Sequence, residues 1–255
     1  MAAVEFERNN RIGIITLNRP EARNAVNGEV AQTMEAILDE IEGDDSLWAA
    51  ILTANGPAFC AGADLKEIAA GNGHLLGTRK GGFAGLVKRE RSKPLIAAIT
   101  GSALAGGTEI ALSCDMIVCS TETVFGLPEV KRSLVAAAGG LFRLPRSIGM
   151  APALEVIMTG DPLPAERAYQ LGMVNYVVAP DEVMATATSL AERVIANAPL
   201  AVQASRRVAT RAFMDEDEAL WKAGNAEFGE IAKTEDYHEG PKAFIEKRPP
   251  EWKGR

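Results

Sequence analysis

The chain has 255 residues, of which 47% are hydrophobic and 24% charged, and a formal net charge of −7. That balance describes a folded protein with one large domain, or one domain and a smaller appendage, well clear of the disordered regime. The acidic excess argues against a nucleic-acid platform, yet helix N-termini and a few local basic side chains can still hold a small phosphorylated ligand.

In chain order, residues 11–17 read as a strand that pairs with residues 4–8 as a hairpin across Asn9 and Asn10. The polar segment NRPEARNAVN carries turn chemistry. Val26, Val30, Met34, Ile37, Leu38 and Ile41 then recur at three- and four-residue spacing, which predicts a helix with Asn27 as N-cap and Gly43 as its stop. Residues 48–53 read as a buried strand running into GPAFCAGADLKE, with a short helix near Asp64. The five glycines of GNGHLLGTRKGG, residues 71–82, predict a mobile surface segment leading into a helix through about Arg91.

Residues 94–99 form the next expected strand. A Gly-Ser-Ala-Leu-Ala-Gly-Gly loop and a short helix from about Gly107 follow it, then strands at 115–120 and 123–126. Strand, loop, helix, strand at this spacing predicts stacked parallel units with right-handed crossovers. After about Met150 the character turns helical: 164–171 ending at Gly172, a late strand at 173–178, then helices at 181–197 and 199–213. Asp215 and Glu218 are spaced as a capping box for a helix reaching about Ile231. The proline-bearing tail EGPKAFIEKRPPEWKGR is expected to dock or fray. A soft boundary near residue 195 divides a core, 1–195, from a helical C-terminal region, 196–255.

Cys60, Cys114 and Cys119 form no CxxC pair and read as buried reduced thiols of a cytosolic protein. MAAVEFERNN has neither the basic start nor the apolar core of a secretory signal. The longest apolar stretch, about residues 95–112, is broken by Gly101, Gly106, Gly107 and Glu109 and is rejected as a membrane span. A cytoplasmic location without membrane attachment is expected.

Only two histidines, His74 and His238, are present, and no HExxH or Cys/His cluster offers a metal site. GxSxG, GxxxxGK[ST] and GxGxxG are all missing; GNGHLLG fails the last by one position. Any proton transfer therefore falls to carboxylates, with backbone amides as electrophiles. Two loops fit that need. FCAGADLKE and LAGGTEIALSCD each follow a buried strand and offer free N–H groups beside small residues. The N–H groups of Ala63 and Gly106 are the candidate pair for an oxyanion hole, although spacing alone is equally compatible with two tight turns. Glu109 falls in the first turn of its helix, as either a cap, a paired buried acid or a proton carrier. Glu129, in FGLPEV, is either a solvated loop acid or the second member of an acid/base pair.

These residues resemble the enoyl-CoA hydratase/isomerase superfamily, the crotonase family. The resemblance runs over nearly the whole chain: NRPEARNA at 18–25, FCAGADLKE at 59–67, ITGSALAGGTEIALSCDM at 99–116, FGLPEV at 125–130, GG and RLPRSIG within 139–149, and MTGDPLPAERAYQLGMVNYVV at 158–178. Any single piece would be weak, whereas the ordered set is specific. The resemblance implies an α/β fold, a spiral of repeated ββα units with a helical C-terminal trimerisation region, in trimers that usually pair into hexamers. It implies an acyl-CoA thioester as substrate, with no cofactor beyond the CoA that the substrate carries and no metal.

Ala63 and Gly106 match the family's oxyanion-hole positions, and Glu109 and Glu129 match both glutamates of its hydratases. Retention of both acids favours addition of water to a 2-enoyl-CoA, or the reverse dehydration of a 3-hydroxyacyl-CoA, over Δ3-Δ2-enoyl-CoA isomerisation. The roles implied are Cα protonation by Glu129 and water activation by Glu109. Ala22, Arg23, Ala25, Ala61, Asp64 and Leu65 match CoA-lining positions. Phe244 and Lys247 match C-terminal positions that reach CoA, often from a neighbouring subunit. KRSLVAAAGGLFRLP has Ser133 and Ala136–Ala138 where many hydratases carry Gly and Pro-Gly. That stretch is closer to carnitinyl-CoA dehydratases, so a specialised dehydratase is the first alternative. A non-catalytic acyl-CoA-binding protein is an alternative of another class.

Overall fold

Asn10, in the left-handed region at φ 53°, turns the chain between β1 (Val4–Asn9) and β2 (Ile12–Leu17), which pair antiparallel in the expected hairpin. The computed structural model describes residues 2–255. Helix α1 (Gly28–Gly43) begins where predicted. The Asn27 side chain accepts the Val30 N–H at 2.9 Å, and the spaced apolar side chains Val30, Met34, Ile37, Leu38 and Ile41 are buried. The chain then enters β3 (Ala49–Ala54) and β4 (Ala58–Cys60), followed by the short α2 (Leu65–Ala69), which Asp64 caps through Lys66 N–H.

The glycine-rich segment departs from expectation. It folds into a 3₁₀ turn at Gly73–Leu76 and a tiny hairpin, β5 (Gly77–Thr78) with β6 (Gly82–Phe83), and no helix follows to Arg91. Gly82, Ala84 and Gly85 all hold positive φ, and a Cβ on Gly85 would lie 2.2 Å from the Ala31 carbonyl oxygen. That backbone is docked against α1 and cannot take helical angles.

Beyond it run β7 (Leu95–Ile99), β8 (Ser102–Leu104) and α3 (Gly106–Ala111), then β9 (Met116–Ser120) and β10 (Val124–Gly126). The sequence reading took residues 101–107 as one loop; three of them instead form a strand, stitched between β4 and β10. Helices start earlier than expected, with α4 (Gly140–Ile148) before α5 (Met150–Thr159). β11 (Leu163–Pro164), α6 (Ala165–Gln170) and β12 (Tyr176–Val178) follow. The chain ends in α7 (Val183–Ile195), α8 (Pro199–Ala209), α9 (Asp217–Ile231) and α10 (Glu235–Glu246).

The predicted capping box does not form. Glu216 occupies the N-cap of α9 without a side-chain bond, and Asp215 pairs with Arg211 at 2.5 Å instead. The tail docks: Trp252 Nε1–H donates to the Ala196 carbonyl (2.8 Å), and buried Asp236 accepts the N–H groups of Lys253 and Gly254.

Two sheets result. The larger runs β1-β2-β3-β7-β9-β12, parallel from β2 onward, and the smaller runs β11-β10-β8-β4. Each turn of the chain gives one strand to the large sheet and the next to the small one: β3 then β4, β7 then β8, β9 then β10. Side chains alternate across β7, so Leu95, Ala97 and Ile99 enter the main core while Ile96 and Ala98 meet the Val183–Ala191 face of α7. This is a mixed α/β architecture whose central parallel strand β7 is buried on both faces. No helix among the described residues is long and apolar enough to cross a membrane.

Candidate active site

Three parallel strands of the small sheet bring the singled-out loops together. Cys60 in β4 pairs with Ala103 in β8, and Leu104 pairs with Gly126 in β10. Their carboxyl ends therefore lie side by side, and the chain leaves them as residues 61–64, 105–109 and 127–129. Such an edge is where open α/β sheets place ligands, because side chains and free amides converge there without sheet partners.

Ala63 is held from behind. Val26 N–H donates to the Gly62 carbonyl (2.8 Å) and Asp64 N–H to the Val26 carbonyl (2.9 Å), forming a bridge that faces Ala63's own N–H the other way. Gly106 opens α3, where a first-turn N–H has no intrahelical acceptor. Ala105, just before it, sits at φ 52° and ψ −124°, a strained conformation that sets the direction of that amide. Among the described residues, neither N–H has a protein acceptor. Packing holds the two loops together: a Cβ on Gly62 would lie 3.0 Å from Gly106 N, and one on Gly107 only 2.1 Å from the Cys60 carbonyl oxygen.

Thr108 locks this arrangement. Its hydroxyl donates to the Ala103 carbonyl (2.7 Å) and accepts the Gly126 N–H (2.9 Å), tying α3 to β8 and β10. The sequence reading passed over it, although a lone hydroxyl inside an apolar run carries the same signal as Glu109. Asn24 was also missed. Buried and at φ 54°, it donates to the carbonyls of Asn55 and Ala58 and accepts Arg19 N–H, which pins NRPEARNA against the next loop.

Glu109 is buried, and one carboxylate oxygen accepts the Gly140 N–H at 2.8 Å. Burial raises its pKa and the charge of Glu129 adds to the rise, against the pull of that N–H and of Arg143. Glu129 stands in a 3₁₀ turn at Pro128–Arg132, half-buried, with Oε2 fully enclosed and without a hydrogen-bond partner. Burial raises its pKa as well. Two acids with raised pKa, each lining a common space, are suited to giving and taking protons there.

That space is a cavity of about 1340 Å³ lined by Ala63, Gly106, Glu109 and Glu129. Ala22, Arg23, Ala25, Ala61, Asp64 and Leu65 line it too. Phe83 covers Gly106, where a Cβ would strike its ring at 2.5 Å, and Val87, Leu134 and Val135 add apolar wall. Asp64 has further duties, capping α2 and pairing with Arg19 at 3.1 Å. Phe244 and Lys247 do not line this cavity; both are exposed near the end of α10, Phe244 at 85%. Cys60 is a packing thiol pushed up to about 12 by burial, close enough to take the Gly62 N–H at 3.4 Å. No cluster of three or more His, Cys, Asp or Glu able to hold a metal occurs among the described residues.

Known proteins share this sequence pattern and fold over nearly the whole chain. Residues 7–255 match the model of a family described as enoyl-CoA hydratase/isomerase. A short-chain-enoyl-CoA hydratase of Clostridium acetobutylicum is 40% identical over 96% of this chain and 95% of its own length. A carnitinyl-CoA dehydratase of Proteus mirabilis is 40% identical over 94% of each chain. The crystal structure of an enoyl-CoA hydratase from Mycobacterium marinum superposes with a TM-score of 0.96 at 44% identity, covering the whole of both chains.

Proposed function

Since the chain belongs to the enoyl-CoA hydratase/isomerase family, we propose that it is a hydro-lyase adding water across the 2,3 double bond of a 2-enoyl-CoA thioester. One observation carries the reading: two unengaged backbone amides and two carboxyls of raised pKa line one cavity. A thioester oxygen between Ala63 N–H and Gly106 N–H gains most stabilisation when it becomes enolate-like, so the pair lowers the barrier rather than merely tightening binding.

The proton balance follows from the two environments. Glu109, held by an N–H that favours its carboxylate, takes a proton from water as the oxygen attacks Cβ. Glu129, with a bare enclosed oxygen that favours the neutral acid, delivers its proton to Cα. Proton return from Glu109 to Glu129 through solvent resets the pair. An isomerase needs only one acid to carry a proton between carbons, so the second, positioned acid supports hydration.

Ala22, Arg23, Ala25, Ala61, Asp64 and Leu65 form the proposed CoA channel. Phe244 and Lys247 are proposed to reach CoA from a neighbouring subunit. The exposed apolar side chains Phe213, Trp221, Phe228, Phe244 and Ile245 support a trimer built through residues 196–255. The test is loss of conjugated-thioester absorbance when purified protein meets crotonyl-CoA or longer 2-enoyl-CoAs. Glu109→Gln and Glu129→Gln should each lower kcat by about a hundredfold or more. Two variants turning over like the parent would overturn the mechanism.

A further inference from the structure

Arg143 extends from α4, partly buried, and its side-chain hydrogen bonds go to two main-chain carbonyls rather than to an acid. It donates to Ala138 at 3.2 Å and to Val87 at 2.6 Å. Both acceptor residues line the active cavity. Val87 ends the segment that lays Phe83 on Gly106, and Ala138 leads into the Gly139–Gly140 turn whose N–H grips Glu109. Gly139 holds φ 112°, and a Cβ there would lie 2.2 Å from an Arg143 Nη atom. The guanidinium thus lies against the backbone that positions Glu109.

Arg143 itself does not line the active cavity. It lines a second one of about 950 Å³ on the other side, between the core and α8–α9. The charged and titratable groups facing Glu109 are Arg143 and Glu129. Those acting on Arg143 include Glu109, Arg91, Arg146 and the Cys114 thiol, and Arg89, Glu90, Asp115, Arg206, Arg207, Arg211 and Glu227 line the second cavity with it. Arg143 is the basic side chain acting on Glu109 against its burial and against the charge of Glu129.

We infer that Arg143 is a positioning residue for the proposed hydration: it clamps the two cavity walls through Val87 and Ala138, so holding the Gly139–Gly140 turn whose N–H grips Glu109, and places a positive charge on the far side of that turn. The inference rests on the hydratase reading for its kinetic readout. The direction of the effect is fixed. Removing a cation beside a carboxylate raises its pKa, so the acid limb of the kcat profile must move to higher pH.

The experiment compares pH profiles of kcat and KM for Arg143→Gln, Arg143→Lys and Arg143→Ala with the parent. Arg143→Gln is expected to move the acid limb to higher pH and to lower kcat on the acid side, with KM little changed. Arg143→Lys keeps the charge and should keep the limb near the parent's. Arg143→Ala opens onto the second cavity, so millimolar guanidinium should restore kcat and draw the limb back. A Gln variant whose limb superposes on the parent's overturns the inference. If the neutral variants do not fold, a Lys variant with its limb displaced to higher pH overturns it equally. Should the parent hydrate no 2-enoyl-CoA, the hydratase reading fails on its own. Carboxyl ¹³C titration of Glu109 in the unliganded parent and variants then decides the role of Arg143, with an unmoved Glu109 refuting it.

Discussion

Gly107→Ala tests the proposed oxyanion hole without touching either amide proposed to donate to substrate. A Cβ at Gly107 would fall 2.1 Å from the Cys60 carbonyl oxygen, 2.9 Å from its carbon and 3.0 Å from its Cβ. A carbon and a carbonyl oxygen rest at roughly 3.3 Å or more, so β4 and the start of α3 must part by about 1.2 Å. Those two backbones orient Ala63 N–H and Gly106 N–H, and α3 also carries Glu109 toward Gly140. A displacement near 1 Å at the reacting groups costs on the order of a hundredfold in rate, or about 2.7 kcal/mol of barrier. The overpacking itself should cost about 1–3 kcal/mol of stability. The assay is initial-rate hydration of crotonyl-CoA beside a thermal melt. The loss should appear in kcat more than in KM, since the amides matter most to the enolate-like state. Gly43→Ala is the control: Gly43 is exposed at the end of α1, and a Cβ there meets nothing within 4 Å. A Gly107→Ala protein with parental kcat and melt would refute the claim that this close approach holds the amides in place.

Glu109→Gln should trade activity for stability. Its native carboxyl lies above the ordinary range, chiefly through burial. The unfolded chain ionises first as pH rises, so this residue's contribution is full in acid and lost as pH climbs through the raised native value. The stability gap between Glu109→Gln and the parent should therefore widen with pH above about 4.3 in chemical denaturation, and a gap that narrows would reverse the assignment. Asp115 behaves oppositely. Burial would raise it, but Arg91 at 3.1 Å and Arg206 at 2.8 Å outweigh burial and lower it. Asp115→Asn leaves two guanidiniums enclosed without a carboxylate and should cost about 3–5 kcal/mol at pH 7. The difference should close as pH falls through the native value of Asp115, and a pH-independent difference would exclude the ion-pair account. Light scattering should give a trimer or its multiple; a clean monomer would remove the subunit-bridging role proposed for Phe244 and Lys247.

Much of the local structure was legible in the chain. The Asn9–Asn10 hairpin, the apolar face of α1 with its Asn27 cap, and the Gly-Gly start of α3 all form as read, because each depends on neighbours within a few residues. The misreadings share one cause. Residues 83–91 have helical composition, yet Gly85 is pressed on α1 and holds a left-handed angle. Asp215 has capping spacing but finds Arg211 first. Residues 102–104 are too few to show a strand period, and only their partners β4 and β10 make them one.

The sequence by itself named the chemistry: amides freed by small residues beside strand ends, and two acids where histidine and cysteine offered no alternative. Tertiary structure alone decided that these groups share a cavity, since the parallel register of β4, β8 and β10 joins the separate loops 61–64, 105–109 and 127–129. It also decided which oxygen of Glu129 stands bare, which N–H holds Glu109, and that Arg143 lies behind it. Spacing records which residue types are available to a short segment, whereas the direction of a buried side chain is set by packing against distant parts of the chain.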